Sequence, residues 1–193
     1  MNDFIFHNPD KVYFGRNQME HLPEELLKFG RKVLLVYGGG SIKKNGLYDH
    51  IYKMAKENRI ELFELAGVEP NPRHSTANKG AEICKKEGID VVLAVGGGST
   101  IDCAKGVAAA SKTSDGDVWN IVKKGEWVTE VLPIVTVLTN AATGSEMDAW
   151  AVISNMDTNE KLSLGGSGVI PKVAFENPEY SYTLPPYQTA CGV

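Results

Sequence analysis

Residues 92–105 read VLAVGGGSTIDCAK, an apolar run that stops at three glycines, a serine and a threonine before turning Ala-rich and helix-like. Residues 34–44, LLVYGGGSIKK, make almost the same turn earlier in the chain. A continuous apolar run that ends in glycines is the pattern of a strand buried on both faces of a parallel sheet, followed by a tight entry into a helix. Such turns lie at the carboxyl ends of strands, where open parallel sheets bind their ligands.

The pattern extends outward from the two turns. Met19, Leu22, Leu26 and Phe29 lie at helical spacing with Gly30 as a stop, and 33–37 is strand-like. A helix is expected over 47–58, with Leu47, Ile51, Met54 and Ala55 on one face, then an extended run over 60–65. A helix over 75–87 ending at Gly88, a strand over 91–95, a helix over 100–111 and a strand over 134–138 continue the alternation. Residues 155–159 read as the turn of a hairpin between 149–154 and 161–163. The fold class is therefore α/β: a mostly parallel sheet with helices on both faces, plus a β-hairpin. Residues 1–184 form its domain. Pro185-Pro186 breaks the chain and Tyr187 onward reads as the start of a helix; a lone first turn would bury nothing, which is expected of a fragment.

The 193 residues carry 42% hydrophobic residues, enough for a core, and a net charge of −4. Lys43-Lys44, Lys85-Lys86 and Lys123-Lys124 are isolated pairs at expected helix ends and form no basic stripe, which argues against nucleic acid and anionic membranes as partners. No apolar run approaches the roughly 20 residues of a membrane span. Cys84, Cys103 and Cys191 are odd in number and widely spaced, as expected of reduced thiols in the cytoplasm. His7, His21, His50 and His74 show no metal-ligand spacing.

Chemistry concentrates at the glycines. Without Cβ atoms, Gly96-Gly97-Gly98 lets the backbone approach a ligand, and free N–H groups at a helix start favour a phosphate. The plainer alternative is a turn with Ser99 or Thr100 as N-cap and Asp102 as a first-turn acid. Neither GxGxxG nor GxxxxGKS is present, so spacing points to phosphate without naming its owner. The first copy leads to Lys43, Lys44 and Asn45, with a helix expected only later, and follows a strand expected to be central. No Asp or Glu lies between Leu34 and Leu47, which favours NADP(H) over NAD(H) if a dinucleotide binds.

Several stretches together resemble the iron-containing (group III) alcohol dehydrogenases, in their butanol dehydrogenase-like branch. They are FHNPDKVYFG (6–15), YGGGSIKKNGLYD (37–49), GVEPNPR (67–73), AVGGGSTIDCAK, LTNAATGSEMDAWAVIS with Lys161, and YTLPP (182–186). The resemblance implies an NAD(P)H-dependent oxidoreductase acting on small aldehydes and primary alcohols, with a Rossmann-like NAD(P)-binding domain over 1–184 and, over 185–193, the beginning of an all-helical metal-binding domain. It puts the pyrophosphate on Gly97, Gly98 and Ser99, with Asp102 steadying the loop near the nicotinamide. The adenosine end would meet Gly39, Gly40 and Ser41, with Asn71 near the ribose and Thr139 on the adenine side. Ser145, Asp148 and Lys161 would flank the cofactor toward the nicotinamide, and Tyr180 would pack on it. The family's divalent metal, iron or zinc, is held by an Asp and three His that align after Val193, so no metal ligand and no catalytic residue is expected within this chain. The resemblance further implies a homodimer, formed through the extended segment 4–14. The NAA before Thr143 departs from the usual T-x-G-T-G-S-E pattern. Competing readings are a metalloenzyme like glycerol dehydrogenase or dehydroquinate synthase, and a non-catalytic nucleotide-binding module.

Overall fold

The computed structural model describes residues 7–192. Six strands form one sheet: β1 (Lys11–Phe14), β2 (Lys32–Tyr37), β3 (Glu61–Leu65), β4 (Val91–Gly97), β5 (Ile134–Asn140) and β8 (Val173–Glu176), in the order β1-β8-β5-β4-β2-β3. All their pairings are parallel. β6 (Trp150–Asn155) and β7 (Glu160–Gly165) form a separate antiparallel hairpin.

Side-chain alternation along the strands divides the core in two. Leu34, Val36, Val92 and Ala94 pack under α4 (His74–Glu87), α5 (Gly98–Ala110) and α6 (Val118–Lys124). The alternate residues Val33, Leu35, Val91, Leu93 and Val95 pack under α1 (Leu22–Leu27) and α3 (Leu47–Glu57). Period-two burial on both faces explains why these strands read as unbroken apolar runs. The Ala-rich composition of α5 allows close packing: a Cβ at Gly80 of α4 would stand 2.5 Å from Val107 Cγ2.

The helices and strands expected from spacing are present, with three corrections. β2 lies one strand from the edge, so β4 and β5 are the central pair. A one-turn helix, α2 (Ser41–Lys44), starts directly at the first glycine turn and not later, with Gly40 at φ 102° as its cap. Residues 118–124, which the spacing left unassigned, form α6: the Asp117 carboxylate accepts from Trp119 N at 3.0 Å and Gly125 ends the helix at φ 62°. All three lysine pairs do occupy last helical turns, of α2, α4 and α6. Cys84 and Cys103 are buried free thiols pushed up to about 12 by burial, and Cys191, in α7 (Pro186–Gly192), is free and exposed.

One buried acid ties β1 to α1. Glu25 Oε1 accepts from Lys11 Nζ at 2.6 Å and Tyr13 Oη at 2.6 Å, and pairs with Lys28 Nζ at 2.9 Å. Burial pushes the carboxyl up, but these donors outweigh it and hold its pKa at about 2, below the ordinary 4.5. A depressed carboxyl pKa contributes stability above the unfolded value, and that contribution is lost as pH falls toward the folded one. Urea denaturation should therefore show stability falling between pH 4.5 and about 2, with a shallower fall in Glu25→Gln; an equal fall in both would show that Glu25 is not a source of the acid sensitivity.

Candidate functional site

Strand order decides where a ligand can enter. From β2 the chain crosses outward to β3, whereas from β4 it crosses the opposite way to β5, and β2 and β4 are hydrogen-bonded neighbours. Their carboxyl ends therefore flank a topological switch point, the crevice in which open parallel sheets bind ligands. Tyr37 and Val95 are paired across these strands, and each is followed at once by its GGGS turn.

The second turn presents a helix N-terminus. β4 runs through Gly97, which is also the cap of α5, and the helix begins at Gly98 with no side-chain cap and no acid in its first turn. Ser99 and Thr100 are thus inside the first turn, and Asp102 lies beyond it, which overturns the N-cap and first-turn-acid alternative. The leading N–H groups of this 13-residue helix have no intrahelical acceptor, and the aligned peptide dipoles favour an anion there. Packing helps to select the glycines: a Cβ at Gly98 would lie 2.6 Å from Thr143 Oγ1, and one at Gly97 3.2 Å from Asn140 Cβ.

The first turn differs. A Cβ at Gly39 would meet nothing within 4 Å, and the residue has no positive φ that would demand glycine. Gly40 also faces open space, while α2, only four residues long, offers little dipole. The bare backbone at Gly39 leaves room that the chain itself does not fill.

Two further elements join the crevice. Asn71, at φ 56°, donates its N–H to Ser99 Oγ at 3.3 Å, and its Oδ1 accepts from Lys161 Nζ of β7 at 2.6 Å. An ammonium group is thereby brought from the hairpin to the residue that touches the first turn of α5. Pro70, Asn71, Arg73 and Lys161 line an open cleft there. Thr139 lines another, between the ends of β5 and β8, with Phe14, Asn140, Asn177 and Ser181.

Asp102, Ser145 and Asp148 are engaged with other protein groups. Asp102 Oδ1 accepts from Ser145 Oγ at 2.6 Å and Oδ2 from Val152 N at 2.9 Å, which ties loop 141–149 and β6 to α5. Burial raises the Asp102 pKa, and the Ser145 hydrogen bond opposes that rise. Asp148 Oδ1 accepts from Lys105 Nζ at 2.7 Å and from Trp150 N at 2.9 Å. Tyr180 is packed against the α1–α3 side of the core, and Ser181, not Tyr180, lines the Thr139 cleft.

The spacing did not single out Lys105. It is fully buried, and its ammonium also donates to the carbonyls of Asp148 at 2.9 Å and Trp150 at 2.7 Å. Burial lowers its pKa and Asp148 opposes the shift. A lone lysine on the Ile101, Ala104 and Ala108 face of an Ala-rich helix was the signal available. Among the described residues no group of three or more His, Cys, Asp or Glu is arranged to hold a metal ion, so they do not fit a metal centre. Lys105→Met should cost about 2 kcal/mol in urea denaturation, because the carbonyls of Asp148 and Trp150 and the Asp148 carboxylate lose their shared donor; a loss below about 0.5 kcal/mol would show that the ammonium does not anchor this loop.

The comparisons with known proteins agree with this fold. Residues 9–178 match the model of the family described as iron-containing alcohol dehydrogenase. The chain is 54% identical over its whole length to NADH-dependent butanol dehydrogenase B of Clostridium acetobutylicum, covering 49% of that protein. It is 38% identical to the NADPH-dependent aldehyde reductase YqhD of Escherichia coli, covering 50% of it. The crystal structure of NADH-dependent butanol dehydrogenase A from Thermotoga maritima superposes with a TM-score of 0.94 at 45% identity, over all of this chain and 48% of that one. The chain thus spans about half the length of these relatives. With the switch-point crevice, the paired glycine turns and a family match over most of its length, the chain belongs to the iron-containing alcohol dehydrogenases.

Proposed function

We propose that this chain forms the dinucleotide-binding part of an NAD(P)H-dependent alcohol dehydrogenase or aldehyde reductase that interconverts a small aldehyde and its primary alcohol. The observation that carries the reading is the meeting, at one switch point, of an uncapped α5 N-terminus with a Gly39 backbone open to a ligand. When bound, the nicotinamide supplies the hydride; the protein holds and orients it.

In this reading Gly97, Gly98 and Ser99 hold the pyrophosphate through backbone N–H groups. Lys161, fixed by Asn71, adds positive charge beside it. Gly39, Gly40 and Ser41 receive the adenosine ribose, and Thr139 meets the adenine side. Asp102 and Lys105 act as braces, through Ser145 and Asp148, so that the wall facing the nicotinamide is rigid. Precise placement of the hydride donor is what such bracing contributes to rate. Tyr180 packs on the cofactor from the α1–α3 side of the sheet. The group that stabilises the developing alkoxide is assigned to no residue among 7–192.

The choice of nucleotide is finer. An acid-free first turn with Lys43 and Lys44 close by supports the expectation of NADP(H), whereas the C. acetobutylicum and T. maritima relatives are named for NADH and the E. coli relative for NADPH. Our reading is that the turn itself admits both. For the homodimer, support comes from β1, which forms one edge of the sheet and exposes Val12 and Phe14; residues 4–6 of the segment expected to pair lie outside the described residues. No helix among the described residues is long and apolar enough to cross a membrane, and the free thiols suit the cytoplasm.

The purified chain should quench or enhance nicotinamide fluorescence on titration with NADH and NADPH, yet fail to oxidise either with butyraldehyde. Absence of saturable binding would contradict the cofactor reading, and turnover would contradict the division of labour. Gly39→Asp places a carboxylate in open space and should weaken NADPH relative to NADH by about tenfold, about 1.4 kcal/mol; an unchanged ratio of dissociation constants would remove the ribose from this turn.

A further inference from the structure

Beside the first glycine turn lies a cluster that the cofactor reading has not used. β3 pairs with β2 so that Glu64 stands opposite Leu35, and Tyr37 is the last residue before Gly38. Glu64 is exposed, yet its carboxylate accepts hydrogen bonds from three phenols: Tyr37 at Oε2, and Tyr48 (2.9 Å) and Tyr52 at Oε1. The ammonium of Lys43, two residues past Ser41 in α2, lies over two of those rings, 4.4 Å from the Tyr48 centroid and 5.3 Å from that of Tyr37. Burial works against the Glu64 charge, but the three donors outweigh it and its pKa is lowered; proximity to Tyr37 raises that of Lys43. Both groups are charged at neutral pH.

A 2′-phosphate reaching Gly39–Ser41 needs a cation and no uncompensated anion nearby. Lys43 is the first cation after that turn. It is docked on the faces of rings whose hydroxyls donate to the Glu64 carboxylate, so part of its charge is held within the cluster and not offered to the turn. We propose that Glu64, acting through its tyrosines and Lys43, is a specificity-determining residue that turns the adenosine side of the crevice toward the 2′-hydroxyl of NAD(H) and away from the 2′-phosphate of NADP(H). This rests on the crevice being a dinucleotide site. It reverses the expectation drawn from 34–47, because the deciding acid comes from the neighbouring strand and not from the turn.

The test is a set of dissociation constants for NADH and NADPH, from nicotinamide fluorescence at low and high salt, for the wild type, Glu64→Gln, Lys43→Met and the double variant. Glu64→Gln keeps the shape of the side chain and an oxygen to accept from the tyrosines. It should tighten NADPH about five-fold relative to NADH, the size of one exposed ion pair gained. The gain should disappear in the double variant and shrink at high salt. A ratio unchanged by Glu64→Gln, a gain that survives Lys43→Met, or a wild type that prefers NADPH would each overturn the proposal. Failure of the wild type to bind either nucleotide would overturn the cofactor reading beneath it, a result distinguishable from these.

Discussion

The structure depends on the reversal of winding direction between β2 and β4. These strands are hydrogen-bonded along Val33–Tyr37 and Val91–Val95, yet the connection after one passes to β3 and that after the other to β5. Helices cannot cover both exits of such a pair, so a crevice is left over their carboxyl ends. The residues assigned to the diphosphate and the ribose border this crevice, and Thr139 lines the neighbouring cleft between β5 and β8. The fully apolar strands beneath it supply rigidity, since they are packed on both faces and cannot move singly without opening the core.

The two glycine turns look alike in sequence and differ physically. Around Gly97 and Gly98 the chain packs so closely that larger residues would strike Asn140 and Thr143, and a 13-residue helix follows at once. At Gly39 the chain leaves space, and the helix that follows is a single turn. One turn therefore combines a dipole with a fixed wall, suited to a diphosphate. The other offers an open backbone, followed by Lys43 on the ring of Tyr48, whose hydroxyl donates to Glu64.

Much of this was legible in the sequence where a physical period or a breaker was strong. Leu47, Ile51, Met54 and Ala55 are buried on one face of α3, and Gly88 ends α4 in the left-handed conformation as its position suggests. Short elements escaped: α6 spans seven residues and β8 four, too few for either period to stand out, although Asp117 and Gly125 mark both ends of α6. Contacts made across the fold escaped for a different reason. Nothing local links Lys105 to Asp148, Asp102 to Val152, Lys161 to Asn71 or Tyr37 to Glu64; strand order and the placement of the hairpin create those pairs. The position of β2 beside the edge is hidden from the sequence for the same reason, since strand order is a property of the whole sheet.

The central claim is that a dinucleotide enters over the carboxyl ends of β2 and β4, with its diphosphate at the start of α5. Backbone amide NMR of the isotopically labelled chain, titrated with NADH, tests it most directly. The account predicts the largest shifts at the amides of Gly97, Gly98, Ser99 and Thr100, with a second group at Gly39, Gly40 and Ser41. Saturable binding that left all these amides unmoved and shifted others instead would contradict it.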